Sequence, residues 1–312
     1  MTAIVDVVLP VFAIMLAGYG AGRWGALGPA SSEALNGFVY YGALPSLFFV
    51  SMARAPLADA FDWPFLVAYG GGVAASFLLA VLVARWRFPN RPAAIGLAGI
   101  TATLANTGYM GIPLLQTAYG EAAMLPAIVA SVFNGAVMVA LGIAIVEIDL
   151  GRGGGRFEVL RKVTLGVIKS PLVLAAVAGL AVSSLNLELP KAIATFCDIM
   201  GAAAGPCALF ATGLFMVGRQ MTAGAAEVGW LVALKLLVQP LVTWILAYHV
   251  LEMAPIWAAS TVILSALPTG ASIFVVAQRY GIYVQRSTAA IMASTVLSVI
   301  TLSICFLVLE PH

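Results

Sequence analysis

Apolar residues along this chain run in continuous stretches of about twenty, with polar positions gathered in short connections. A bilayer core takes roughly 20 mostly apolar residues per helix. Ten stretches qualify, at 3–22, 36–53, 64–84, 93–118, 121–147, 166–186, 192–218, 228–249, 255–278 and 286–309. The pattern predicts ten transmembrane helices. The first stretch does not read as a cleavable signal peptide: it lacks a positive n-region, carries Asp6 early and is followed by Arg23. The longest connection runs from Glu147 to Ser170 and holds Gly151-Arg152-Gly153-Gly154-Gly155-Arg156, a flexible charged linker. No connection has room for a soluble catalytic head.

Composition agrees with spans rather than with a globule in water. The chain is 62% hydrophobic and 9% charged, against about 45–50% and about 25% in a soluble domain. A net charge of +2 provides no basic field for nucleic acid. The placement of the charges is more telling than their sum. Alternate loops, beginning after the first span, hold twelve of the fifteen Lys and Arg residues. The opposite loops hold only Arg54 and Lys191, and Lys235 lies within a span. The positive-inside rule puts the twelve in the cytoplasm. Both termini are then non-cytoplasmic, which requires an even number of spans in the inner membrane. Cys197, Cys207 and Cys305 sit in apolar stretches without metal-ligand spacing, and His249 and His312 stand far apart. No metal site or cofactor is expected. No Ser/His/Asp, Cys/His or His/Glu constellation converges in the spans, so an enzyme is not expected either.

The two halves echo each other. Pro10 and Gly18 match Pro171 and Gly179 at an offset of 161, and Pro45 with Leu47-Phe48 matches Pro206 with Leu209-Phe210, the prolines again 161 apart. Thr103 to Asn106 matches Ala266 to Thr269, and Ala130-Ser131 with Glu147 matches Ala293-Ser294 with Glu310, at an offset of 163. Spans 3 and 8 show no match. A five-span unit repeated once places its copies in opposite orientations, the plan of secondary transporters that bind substrate near the midplane. The expected organisation is a first five-helix repeat over 1–150, a cytoplasmic linker over 151–165 and a second, inverted repeat over 166–312.

Spans 4 and 9 are interrupted at matching places. Span 4 reads Ala105-Asn106-Thr107-Gly108-Tyr109-Met110-Gly111-Ile112-Pro113, and span 9 reads Leu267-Pro268-Thr269-Gly270. Proline removes a backbone donor and glycine weakens a helix. In lipid, freed backbone groups survive only inside protein or along a wet cavity. Two such breaks that cross would bring four half-helix ends to one point, and half-helix N-termini suit an anion such as a carboxylate. Pro10, Pro45, Pro126, Pro206 and Pro240 read as ordinary kinks.

Asn106 through Leu115 resembles the span-4 signature of the auxin efflux carrier family, which includes plant auxin exporters and bacterial malonate and malate carriers. Leu267 through Gly270 and Ala277 through Gly281 are similar to its span-9 signature, and Asn36 through Tyr41 with Leu44 through Phe49 to its span-2 signature. The resemblance implies an NhaA- and bile-acid-symporter-like fold in which spans 4 and 9 cross, and a homodimer. It further implies that spans 3–5 and 8–10 move against spans 1, 2, 6 and 7. The family's crossover asparagine falls on Asn106 and its crossover proline on Pro268. Plant members carry proline where this chain has Ala105, which implies a softer break in span 4. They also carry a long central loop that is absent here.

These readings converge on a secondary transporter of a small organic anion across the lipid bilayer. The candidate substrate-binding residues are Asn106, Thr107, Gly108, Tyr109, Pro113, Pro268, Thr269, Gly270, Ser46 and Asn134. Asp198 and Lys235 fall inside spans 7 and 8, where an ionisable group normally has a partner. They read either as an ion pair with each other or as a site for a coupling H+ or Na+. Asn134 and Gln239 read as interhelical hydrogen-bonding residues. No Walker motif is present to power transport by ATP. A channel, or a ligand sensor built on a transporter fold, is the alternative.

Overall fold

The computed structural model describes residues 4–55, 62–88, 90–151, 156–219 and 224–309. Gly153, Gly154 and Gly155 of the expected linker, together with Glu310 and His312, lie outside them. Among the described residues there is no strand, only helices joined by short turns. In chain order they are α1 (Asp6–Arg23), α2 (Pro29–Arg54), α3 (Trp63–Arg87), α4 (Pro92–Thr101), α5 (Ile112–Tyr119), α6 (Met124–Val132), α7 (Val139–Leu150), α8 (Arg156–Ile168), α9 (Pro171–Ser184), α10 (Lys191–Phe215), α11 (Ala225–Val250), α12 (Pro255–Ala266), α13 (Ser272–Tyr280) and α14 (Val284–Val308).

Seven continuous helices among the described residues are long and apolar enough to cross a membrane. That is fewer than the ten expected stretches because spans 4, 6 and 9 have no continuous helix of that length, span 6 being bent by 60° between α8 and α9. Spans 4 and 9 are each split, so α4, α5, α12 and α13 fall short of a full crossing. Thr107–Leu150 is helical nearly throughout its 44 residues, about 66 Å at 1.5 Å per residue and roughly twice a hydrocarbon core. It turns at Gly120, where φ is +64°, and α6 packs back on α5. The linker also differs from expectation, because helix α8 begins at Arg156.

The chain divides into two compact units. The first comprises residues 1–62, 108–132 and 168–218, and the second 63–107, 133–167 and 219–312. Spans 1, 2, 6 and 7 therefore fall in one unit and spans 3, 8, 9 and 10 in the other. Residues 108–132, expected to travel with spans 3–5, go with the first unit instead.

In the first unit, glycines let helix backbones touch. α1 lies on the C-terminal half of α10, where a Cβ on Gly18 would come 2.1 Å from the Phe210 carbonyl oxygen and one on Gly213 1.9 Å from that of Met15. α9 lies on the C-terminal half of α2, and a Cβ on Gly179 would come 2.4 Å from the Phe49 carbonyl oxygen. Lipid tails are as apolar as leucine, so such close approach is a main source of helix association in a bilayer.

The second unit is built on α3 against α11. Ala80 and Ala84 pack with Leu231 and Leu234, while Gly72 meets Thr243, so the two helices run antiparallel. α12 covers both, α14 packs on α11 and α12, and α4 pairs with α7. Charges in this unit gather near helix ends. The buried Glu227 accepts from Arg286 at 2.8 Å and from the Tyr283 hydroxyl at 2.5 Å, and Arg91 reaches Asp149 at 2.8 Å. Burial, reinforced by the Glu227 carboxylate, pushes the Tyr283 phenol far above the usual tyrosine range, which keeps it a donor.

Candidate binding site at the crossed helix breaks

The site lies in the second unit, where the interruptions after α4 and α12 meet. The residue before a proline is driven out of the helical region, and Leu267 accordingly ends α12 in an extended conformation with ψ 151°. The first break needs no proline. Ala105 leaves the helix and forms an antiparallel bridge with Thr269. The softer span-4 break implied by the missing proline is not needed for this geometry, because a backbone partner holds Ala105 in place.

Each break satisfies the other. Asn106 N donates to the Pro268 carbonyl and Gly270 N to the Leu104 carbonyl, both at 2.9 Å. The Thr269 hydroxyl donates to the Thr101 carbonyl at 2.9 Å, capping the C-terminal end of α4, and Thr269 N donates to Ser294 Oγ at 3.0 Å. Lys235 Nζ donates at 2.6 Å to the Ser265 carbonyl in the last turn of α12, placing an ammonium at the negative end of that half-helix. Backbone polar groups freed at midspan thus find partners, the condition for an irregular stretch within a membrane. Gly270 is required by this approach: a Cβ there would come 2.8 Å from Leu104 Cδ2 and 3.1 Å from the Ala105 carbonyl oxygen.

Asn134 fastens the crossing from the side. It sits in a π-helical turn, Phe133–Met138, a local widening that often marks functional positions. Its Nδ2 lies 2.9 Å from the Tyr69 hydroxyl, 3.1 Å from Thr107 Oγ1 and 3.2 Å from the Ala105 carbonyl oxygen. Three groups keep hydrogen-bonding capacity that no described residue uses. The Asn106 side chain, 8% exposed, has no hydrogen bond to any described residue. The Thr107 and Tyr69 hydroxyls accept from Asn134, and their own protons have no acceptor among the described residues. They are close together because both reach one nitrogen. Such a set offers hydrogen-bond donors without a formal charge, which suits a small carboxylate held by neutral groups.

Of the expected site residues, Asn106, Thr107, Pro268, Thr269, Gly270 and Asn134 come together here. Ser46, Gly108, Tyr109 and Pro113 belong to the first unit. There the Ser46 hydroxyl donates back to the Gly42 carbonyl at 2.9 Å, and Pro113 packs against Gly205. Tyr69, Thr101, Ser265 and Ser294 complete the crossing without having been singled out. A lone hydroxyl inside an apolar run gives no sequence signal.

Two expectations need correction. Asp198 and Lys235 have separate partners: Asp198 is half-exposed and bound by both terminal nitrogens of Arg54 at 2.8 Å, and Lys235 is bound by a backbone carbonyl. Seven residues into α10, the Asp198 carboxylate lies within reach of a residue that ends α2, so a charge placed mid-stretch by sequence is claimed from a helix end. Gln239 is fully buried and makes no side-chain hydrogen bond to any described residue, so among these it does not join helices in the expected way. An exposed ion pair contributes about 0–1 kcal/mol. Asp198→Asn is therefore expected to leave the melting temperature within a few degrees of wild type, read by a thermal-shift assay in detergent, whereas a coupling role for Asp198 would abolish gradient dependence of transport.

Residues 3–152 and 156–306 match the model of a family described as membrane transport protein. The chain is 31% identical over 311 residues to the "Putative malonate transporter" of Rhizobium meliloti (strain 1021), covering 97% of this chain and 95% of that protein. It is 25% identical over 310 residues to the "Uncharacterized transporter YfdV" of Escherichia coli (strain K12), covering 96% of each. It is also 23% identical over 352 residues to auxin efflux carrier component 5 of Arabidopsis thaliana, covering 98% of this chain and 97% of that protein.

Proposed function

Because the chain belongs to the membrane transport protein family, that of the auxin efflux carriers, we propose that it is a secondary active transporter of a small organic anion, a mono- or dicarboxylate, working by alternating access. The observation that carries this reading is the pair of crossed helix breaks, with the Asn106 side chain bonded to no described residue and the Thr107 and Tyr69 hydroxyls gathered on Asn134. The name of the Rhizobium relative favours a dicarboxylate of malonate's size.

The reading includes ten spans in two inverted repeats, over 1–150 and 166–312, with 151–165 between them. Both termini are non-cytoplasmic and the protein forms a homodimer in the inner membrane. One pair of contacts supports the repeats. Gly18 packs on the Phe210 carbonyl and Gly179 on that of Phe49; adding 161 turns Gly18 into Gly179 and Phe49 into Phe210. The same contact recurs with the halves exchanged, as a two-fold relation requires. The division into two compact units supports alternating access. Ser46, Gly108, Tyr109 and Pro113 are candidate substrate-binding residues of the first unit in this reading, and Lys235 is the titratable group for a proton-coupled cycle.

The test is uptake of labelled malonate, malate and indole-3-acetate by liposomes containing wild type or Asn106→Ala. Wild type should show saturable uptake with counterflow, and the variant a loss of at least tenfold at unchanged melting temperature. Equal uptake by the variant removes Asn106 from the site. Flux that neither saturates nor exchanges identifies a channel.

A further inference from the structure

One face of α11 carries Lys235, Gln239 and Thr243, four residues apart, and all three are fully buried in the second unit. The face lies against α3 and α12. Gly72 meets the Thr243 hydroxyl and the Gln239 carbonyl, and in this antiparallel pair Ser76, one turn on, stands level with Gln239. α12 is held along the same seam by the Phe65–Trp257 ring contact at one end and the Lys235–Ser265 hydrogen bond at the other. Ser260 lies between those contacts. Five polar atoms in this seam, Ser76 Oγ, Gln239 Oε1, Gln239 Nε2, Thr243 Oγ1 and Ser260 Oγ, have no hydrogen-bond partner among the described residues. Lys235 Nζ has a protein acceptor for only one of its three N–H groups among the described residues.

A buried polar group without a partner loses its full hydration, and native structures contain few of them. Five in one seam call for something outside the chain. A cation fits poorly: one about 6 Å from an ammonium, at an effective dielectric of about 20, is disfavoured on the order of a hundredfold, and Gln239 Nε2 offers it only protons. An anion is drawn to Lys235 but has no proton for Gln239 Oε1, which can only accept. Water donates and accepts, and buried water typically makes about three hydrogen bonds to groups of this kind.

We propose that the seam between α3, α11 and α12 is a buried water site, in which ordered water joins Gln239, Ser76 and Ser260 to the Lys235 ammonium. This water gives a side chain with no carboxylate partner among the described residues its solvation inside the membrane, and so holds the ammonium at the end of α12. The site stands whether or not the chain transports an anion.

The test uses the full chain. A structure in lipid at a resolution that shows ordered water should carry peaks within hydrogen-bond distance of both Gln239 Oε1 and Lys235 Nζ. Ser76→Ala and Gln239→Met should each lower the melting temperature by about 2–4 °C, the shift of one lost hydrogen bond in a chain of this size. In a Lys235→Met background the same substitutions should cost less, because the water no longer serves an ammonium. If Lys235→Met does not fold, the two single variants and the structure decide. A dry seam overturns the proposal, and there both variants would raise the melting temperature by removing unpaired groups. Stabilisation of wild type by bromide over gluconate, lost on Ser76→Ala, would also overturn it in favour of a halide.

Discussion

Gly213→Ala is expected to unfold the first unit or to leave the protein aggregated on extraction. The added methyl would sit 1.9 Å from the Met15 carbonyl oxygen and 2.8 Å from the Tyr19 nitrogen. Both are backbone atoms in the middle of α1, so no rotamer change relieves the clash. The helices must separate, and the loss extends along the whole α1–α10 contact rather than to one residue. Overpacking a well-packed core typically costs about 1–3 kcal/mol. A rigid backbone-on-backbone contact belongs at or above the top of that range, a large share of the roughly 5–15 kcal/mol that holds a domain together. The control is Gly229→Ala on α11, where a Cβ meets nothing within 4 Å. Alanine favours a helix over glycine by up to about 1 kcal/mol, so this variant should melt at or above the wild-type temperature. Fluorescence-detected size exclusion and thermal melts of both variants check the prediction, and equal behaviour of the two would contradict the packing.

Asn134→Leu should abolish transport and destabilise the second unit. Leucine fills a similar volume but removes the amide nitrogen, with its two N–H groups, that the Tyr69 hydroxyl, Thr107 Oγ1 and the Ala105 carbonyl share. Each group left buried and unpaired costs about 1–3 kcal/mol, and some of that falls on Ala105, whose extended conformation helps form the break. Uptake should drop by tenfold or more, with a lower melting temperature. Asn134→Asp separates the two effects. A carboxylate has no proton for the Ala105 carbonyl, so the break loosens, yet it can accept from the Tyr69 and Thr107 hydroxyls. Both variants should lose uptake, with Asn134→Leu the less stable; full uptake by either would remove Asn134 from the site.

The position of the breaks was legible in the sequence because proline, glycine and asparagine act locally. Pro268 ends a helix wherever it sits, and Gly270 is needed where two backbones touch. Basic residues in alternate loops are equally one-dimensional. The partners of the breaks were not legible. Thr101, Ser265 and Ser294 are common residues whose role comes only from helix rotation and crossing. The same limit explains Asp198. Its distance from a stretch's end was readable, whereas Arg54, at the end of α2, became its partner only through packing. A glutamine inside a span often joins helices, but nothing in a sequence tells whether a partner lies opposite Gln239. Residues 108–132 left their expected neighbours because their grouping depends on contacts, while the sequence shows only that they continue from the break.

The hydrogen bond between Asn134 Nδ2 and Thr107 Oγ1 also has a meaning in terms of chain tracing. The chain leaves the second unit after Thr107 and re-enters it at Phe133. Everything between is an excursion whose two ends are fastened to each other at 3.1 Å. The hairpin of α5 and α6 is thus attached as a side loop is to a main line, closed at its base. Lengthening its tip at Gly120 alters only the excursion. Adding one residue at its base would shift Thr107 or Asn134 by a hundred degrees of helical turn, and the base could no longer close.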